Sequence, residues 1–164
     1  MELVSLEPLV LDLADALRAA GLRMATAESC TGGLIAAACT AVAGSSDWFE
    51  RGFVTYSNQA KTELLGVDEA LLRAHGAVSE PVALAMAAGA LARAPVQRAV
   101  AVTGIAGPGG AVPGKPVGTV WLALACGSTS GREVQAWRLQ LDGDRAAVRH
   151  ATVVAALQAL RRSV

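Results

Sequence analysis

The apolar positions of this chain change period several times along its length, and each change predicts an element. Leu6, Leu9, Val10, Leu13 and Leu17 recur at helical spacing, with Ser5 placed to cap the helix and Gly21 placed to end it. Residues 22–27 then read as a short strand. After the pair Gly32-Gly33 comes an alanine-rich helical stretch, residues 34–42, that stops before Gly44. Residues 49–56 are β-branched and aromatic enough for a second strand, and residues 59–65 and 68–74 read as short helices broken by Gly66 and Gly76. Ser79 as cap and Pro81 in the first turn open a longer helix running to about Arg93. The apolar run 98–103 predicts a buried strand. Residues 117–125 and 133–141, separated by Gly127-Ser128-Thr129-Ser130-Gly131, predict an antiparallel hairpin, and a last helix is expected from about Asp144 to Arg161.

Alternation of helices and strands without an internal repeat predicts an α/β layer fold. Three polar or glycine-rich segments follow the first three strands, where open α/β sheets bind ligands, just beyond the carboxyl ends of the strands. The first is Thr26-Ala27-Glu28-Ser29-Cys30-Thr31-Gly32-Gly33. Backbone N–H groups of Thr31, Gly32 and Gly33 at a helix start suit an anion or oxyanion. Glycines at such a corner also serve backbone geometry alone. No G-x-x-x-x-G-K-[ST] occurs, so a P-loop is excluded.

Ser29 needs a base to act as a nucleophile. His75 and His150 have no motif context, whereas Tyr56-Ser57-Asn58-Gln59-Ala60-Lys61 follows the second strand and brings a hydroxyl and an amine to the same sheet edge. Desolvation lowers a lysine's pKa enough for it to take a proton from serine. On these residues alone the plainer assignment weighs more: Lys61 a solvated helix residue, Tyr56 a half-buried strand residue. Cys30 is a third candidate nucleophile, disfavoured by the missing histidine partner. Glu28 reads equally as a group orienting Lys61 or as a strand-end carboxylate.

Composition narrows the classes further. The 164 residues, 53% of them hydrophobic, suffice for one domain with a real core. Fourteen basic and fourteen acidic side chains cancel, so no nucleic-acid or anionic-membrane partner is indicated. No basic leader precedes an apolar segment, and the longest apolar run is too short for a bilayer, so the chain is expected to be soluble and cytoplasmic. Cys30, Cys39 and Cys126 have neither metal-ligand spacing nor an even count, and are expected to be core thiols.

The strings TAESCTGG, AGSSDWFERGFVTYSNQAK, LLGV, HGAVSEPVA, TGIAGPGG, KPVGTVW and GDR, in this order from Thr26 to Arg149, resemble the CinA C-terminal domain family. The resemblance implies a three-layer α/β/α sandwich with a mixed, mostly parallel sheet, in a standalone form without the molybdopterin-binding-like domain that some members carry. It implies hydrolysis of the carboxamide of nicotinamide mononucleotide to nicotinic acid mononucleotide and ammonia, with no metal and no cofactor. Carried over, the pattern makes Ser29 the nucleophile, Lys61 its general base and Tyr56 a hydroxyl that positions or relays the proton. It places the oxyanion on the turn of Cys30, Thr31, Gly32 and Gly33. Candidates for the 5′-phosphate are the Thr103 hydroxyl, the backbone of Gly104, Gly107 and Gly109, and Arg145, with Lys115 behind them. Relatives often carry Asp or Thr where this chain has Gly109. A homo-oligomer is the expected assembly. The alternative of another class is a non-catalytic nucleotide-binding or competence-associated interaction domain, against which the presence of Ser29, Tyr56 and Lys61 argues.

Overall fold

A computed structural model describes residues 3–164. Its sheet has five strands: β1 (Met24–Glu28), β2 (Phe49–Val54), β3 (Arg98–Gly104), β4 (Thr119–Ser128) and β5 (Gly131–Gln140), in the order β2-β1-β3-β4-β5. The β1 strand pairs in parallel with β2 and β3, while β4 runs antiparallel to β3 and β5. Four strands therefore point one way and β4 the other, a mixed sheet. Six α-helices accompany it: α1 (Glu7–Ala20), α2 (Leu34–Thr40), α3 (Asn58–Leu65), α4 (Glu69–His75), α5 (Glu80–Ala92) and α6 (Arg145–Arg162).

Alternation along β3 sorts the two helical layers. Val100 and Val102 join the core shared with α1, α2 and α6, whereas Ala99 and Ala101 face the core of α3, α4 and α5. On the second face the sheet presents mostly alanines, which leaves room for α5 to lie close to the strands. Gly89 on α5 does the same toward α3, because a Cβ there would run into the Leu65 carbonyl oxygen. That close approach fixes α3, and so Lys61, against the end of the sheet.

The element boundaries depart from the sequence pattern for local reasons. A 3₁₀ turn over Leu3–Leu6 precedes α1, so Ser5 lies inside that turn rather than at the cap. Leu22 belongs to the end of α1, its N–H reaching Leu17 O at 2.9 Å after the left-handed Gly21, and the first strand starts only at Met24. Ser57 caps α3, its Oγ accepting from the Ala60 N–H at 3.0 Å, and this draws Asn58 into the helix. Ser79 stands at the N-cap of α5 but donates its hydroxyl to Gly76 O at 2.8 Å instead of capping. The hairpin strands extend to Ser128 and Gly131, leaving only Thr129 and Ser130 between them.

The sequence leaves β1 for β2 on one side and then returns for β3 on the other. Strand order thus reverses beside β1, and the crevice outside its carboxyl end is where this class of sheet receives ligands.

Candidate active site

The turn after β1 is built around Glu28. Its side chain is fully buried, and five donors converge on its two oxygens. Oε1 accepts from Thr26 Oγ1 at 3.2 Å and the Ala36 N–H at 2.8 Å; Oε2 accepts from Thr31 Oγ1 at 2.7 Å and the N–H groups of Gly33 and Ile35, each at 3.0 Å. Glu28 therefore caps the start of α2 from the preceding strand and has no contact with Lys61. The backbone closes the corner with two successive left-handed residues, Gly32 at φ 61° and Gly33 at φ 94°, which accounts for the glycine pair.

This geometry corrects part of the expected oxyanion site. The Gly33 N–H is taken by Glu28, and the Gly32 N–H donates to Ser29 O at 3.0 Å. Neither glycine has a donor left for an anion. Among the described residues, the N–H groups of Cys30 and Thr31 alone in this turn have no acceptor on another residue.

Ser29 is pinned at the sheet edge by its own N–H, which donates to Val102 O at 3.0 Å. Lys61, on the first turn of α3, is buried to 1% exposure and places Nζ 3.0 Å from Ser29 Oγ and 2.8 Å from Thr55 O. The solvated lysine of the plainer assignment is thereby ruled out. Among the described residues no carboxylate pairs with it. Burial without a counterion favours the neutral amine and lowers its pKa from 10.5 to about 8, a thiolate at Cys30 acting the other way. The Cys30 thiol is buried beside Ala106, Val120 and Val148, and desolvation pushes its pKa up to about 11. An amine poised near neutrality beside a hydroxyl has the geometry and basicity to take its proton, which a protonated thiol lacks.

Tyr56 and Arg145 complete a cavity of about 200 Å³ lined also by Ser29, Lys61, Thr103 and Gly104. Tyr56 is 61% exposed, and its hydroxyl accepts from Arg145 Nη2 at 3.0 Å rather than touching Ser29 or Lys61. Arg145 donates from Nη1 to Gly107 O at 2.9 Å and makes no ion pair with Asp142 or Asp144. It also borders a second cavity of about 530 Å³ with Gly107, Pro108, Gly143, Asp144 and Arg149. The remaining phosphate candidates fare less well. Thr103 Oγ1 gives its proton to Ala77 O at 2.9 Å and Lys115 Nζ donates to His75 O at 2.9 Å, whereas Gly107 accepts from Arg145 through its carbonyl and lines the larger cavity. Gly109 and both histidines line neither cavity.

Two features escaped the sequence pattern. Thr55 O is a backbone acceptor and leaves no residue-type signal. Arg149 did leave one, four residues after Arg145 on the same helix and so on the same face. It donates from Nε to Cys30 O at 3.2 Å and from Nη2 to Thr31 O at 2.9 Å. Among the described residues no cluster of His, Cys, Asp or Glu can hold a metal ion, and no helix is long and apolar enough to cross a membrane.

The CinA C-terminal domain family model matches residues 6–164. A protein of Shigella flexneri named nicotinamide-nucleotide amidohydrolase PncC is 55% identical over 145 residues, covering 88% of this chain and 86% of its own length. A Pseudomonas putida protein of the same name is 55% identical over 148 residues, 90% of each chain. Among solved structures, the competence/damage inducible protein CihA of Agrobacterium tumefaciens superposes with a TM-score of 0.89 at 49% identity, covering 94% of this chain and 93% of that one.

Proposed function

The chain belongs to the CinA C-terminal domain family, and we propose that it hydrolyses the carboxamide of nicotinamide mononucleotide through an acyl-enzyme on Ser29. The observation that carries this mechanism is the buried pair of Ser29 Oγ and Lys61 Nζ, 3.0 Å apart with no carboxylate among the described residues to hold the amine protonated. Neutral Lys61 takes the Ser29 hydroxyl proton as Oγ bonds the carboxamide carbon. The carbonyl oxygen becomes an oxyanion, for which the N–H groups of Cys30 and Thr31 are the turn's remaining donors. Collapse breaks the C–N bond, the Lys61 ammonium returns its proton to the leaving nitrogen, and ammonia departs. Water then repeats the sequence: it gives a proton to Lys61, adds to the ester carbon, and the second collapse frees Ser29 and nicotinic acid mononucleotide.

The volumes divide the substrate between two spaces. The smaller cavity suits the pyridine carboxamide, and the adjoining one receives the ribose phosphate past Arg145, whose fork has no carboxylate partner among the described residues to displace. Tyr56 is then a support for Arg145 and the substrate rather than the direct proton relay. The reaction belongs to pyridine nucleotide salvage in the cytoplasm, by a homo-oligomer.

Ammonia release is the test, measured with the mononucleotide, its dephosphorylated riboside and free nicotinamide. Turnover of the mononucleotide that vanishes in Ser29→Ala is expected. Absence of ammonia from the folded native chain would favour the non-catalytic binding domain instead. Arg145→Ala should lower kcat/KM for the mononucleotide by roughly 10- to 150-fold, the equivalent of one charge-assisted contact, and lower it far less for the riboside. Equal losses would remove Arg145 from the phosphate.

A further inference from the structure

The two donors left for an oxyanion are aimed by a chain of hydrogen bonds that starts outside the turn. A peptide unit is planar and trans, so fixing its carbonyl fixes the N–H that points the opposite way. Three successive units carry the N–H groups of Cys30, Thr31 and Gly32, and their carbonyls are those of Ser29, Cys30 and Thr31. The Cys30 carbonyl is held by Arg149 Nε at 3.2 Å, which orients the Thr31 N–H away from the guanidinium. The Thr31 carbonyl is held by Arg149 Nη2 at 2.9 Å, with a longer bond from the Leu34 N–H at 3.4 Å, and this orients the Gly32 N–H onto Ser29 O, 3.0 Å away. That last bond in turn holds the Ser29 carbonyl and orients the Cys30 N–H. One guanidinium thus governs both free donors, directly for Thr31 and through Gly32 for Cys30.

We infer that Arg149 is a positioning residue for the oxyanion site: it preorganises the 29–32 turn through the carbonyls of Cys30 and Thr31 without itself meeting the reacting atoms. The assignment rests on the acyl-enzyme reading of Ser29. Arg149 suits the task because a planar fork spans two carbonyls at once and stays charged, which an ammonium on a flexible stem cannot match. Its position on α6, one turn beyond Arg145, makes a single helix face serve both the substrate's anionic end and the turn that receives the oxyanion. Gly32 is part of the device through its left-handed backbone, φ 61°, which a side chain would strain, whereas a Cβ there would meet Arg149 Nη2 only at ordinary contact distance. Free alignment of these N–H groups before the substrate arrives is what lowers the barrier, because no reorganisation is then needed as charge develops.

The experiment compares Arg149→Ala and Arg149→Lys with the native chain in kcat, KM and thermal unfolding. It adds inhibition by the pyridine-3-aldehyde analogue of the mononucleotide. Ser29 Oγ–H adds across that aldehyde to give a hemiacetal, whose oxygen occupies the oxyanion position without any leaving group. In Arg149→Ala, kcat should fall by about 10²- to 10³-fold, the size of a lost oxyanion donor, and by far more than any rise in KM from the residue's place on the wall of the larger cavity. The aldehyde should weaken in proportion to kcat/KM, and Arg149→Lys, able to hold one carbonyl, should fall between. A folded variant that keeps kcat within about threefold, or loses only KM, overturns the assignment, whatever happens to its melting temperature. Should the alanine variant not fold, the lysine variant decides on the same criteria. Ser29→Ala run alongside keeps the two ideas apart: an active Ser29→Ala refutes the acyl-enzyme, whereas an inactive one with unimpaired Arg149 variants refutes the positioning role alone.

Discussion

Glu28 and Lys61 are buried ionisable side chains at the same end of β1, and the protein treats them in opposite ways. Five donors surround Glu28, so each oxygen is saturated and the carboxylate is a structural rivet between β1 and α2. Lys61 has a backbone carbonyl and a serine hydroxyl and, among the described residues, no opposite charge. A buried polar group with all its partners rigidifies what it touches. Left short of partners, it shifts its protonation and becomes reactive. On the proposed mechanism catalysis uses the second condition, and the first supplies the rigid turn on which Ser29 sits.

The sharpest way to break this contrast is to give Lys61 a charge it cannot lose. Lys61→Arg keeps the cation and cannot deprotonate, so kcat should drop by about 10²- to 10⁴-fold, the range for removing general base catalysis. With Lys61 as the proposed base, the active form carries the neutral amine. The rate should therefore rise with pH through a midpoint near 8, where burial has placed the Lys61 pKa, and level off above it. A flat profile from acid to alkaline pH, measured as kcat/KM, would mean that Lys61 is an electrostatic element and that the base lies elsewhere.

Glu28→Gln tests the other half. The amide replaces one acceptor oxygen by a donor, so at least one of the N–H groups of Gly33, Ile35 and Ala36, or a threonine hydroxyl, is left buried without a partner. Denaturant unfolding should register a loss of about 2–4 kcal/mol, with activity falling in step with the folded fraction. Unchanged stability would show that the carboxylate network is not what holds α2 to the sheet.

That distinction explains what the sequence made legible. Periodicity located all five strands and six helices because each buries a face whose spacing is fixed by its own geometry. Ser29, Lys61 and Tyr56 stood out by residue type and by their places after β1 and β2, but those alone favoured a solvated Lys61, and it was the family resemblance that joined the three as a set. Glu28's allegiance was not, since it depends on which N–H groups of α2 turn toward it, and these belong to the backbone of every sequence alike. For the same reason Gly32 and Gly33 read as anion donors, although their N–H groups are spent inside the turn. Arg149 was missed because its partners are carbonyls 118 and 119 residues away.

Removing the unpartnered charge should have the opposite sign on stability from removing the partnered one. The folded-state pKa of Lys61 lies below its ordinary value of 10.5, so between about 8 and 10.5 the unfolded chain binds more protons and stability rises with pH. Below that window both states are protonated and burial of Lys61 costs about 3 kcal/mol. Lys61→Met removes this cost but strands Thr55 O, a loss of about 1–3 kcal/mol, so near neutral pH the inactive variant should be more stable by on the order of 1 kcal/mol. Its advantage should shrink as pH rises beyond 8. A variant less stable than the native chain at every pH would mean that Lys61 is held as tightly as Glu28, and the contrast would collapse.

The smallest effect is expected at the residue that stands between the two. Cys30 neighbours Lys61 and Glu28, and a thiolate there would favour the charged amine. Burial prevents this: with the thiol pKa pushed to about 11, Cys30 is still protonated where Lys61 titrates near 8, and a neutral thiol exerts no comparable pull. Cys30→Ala should therefore leave the midpoint of the pH–rate profile in place, and kcat within a few-fold, at the expense of about 1 kcal/mol for the atom missing from the contact with Ala106, Val120 and Val148. The profile is the decisive measurement. If its midpoint moves down on removing the sulfur, the thiol is ionised beside Lys61 after all. The amine would then have a counterion, and its reactivity would need an explanation other than burial without a partner.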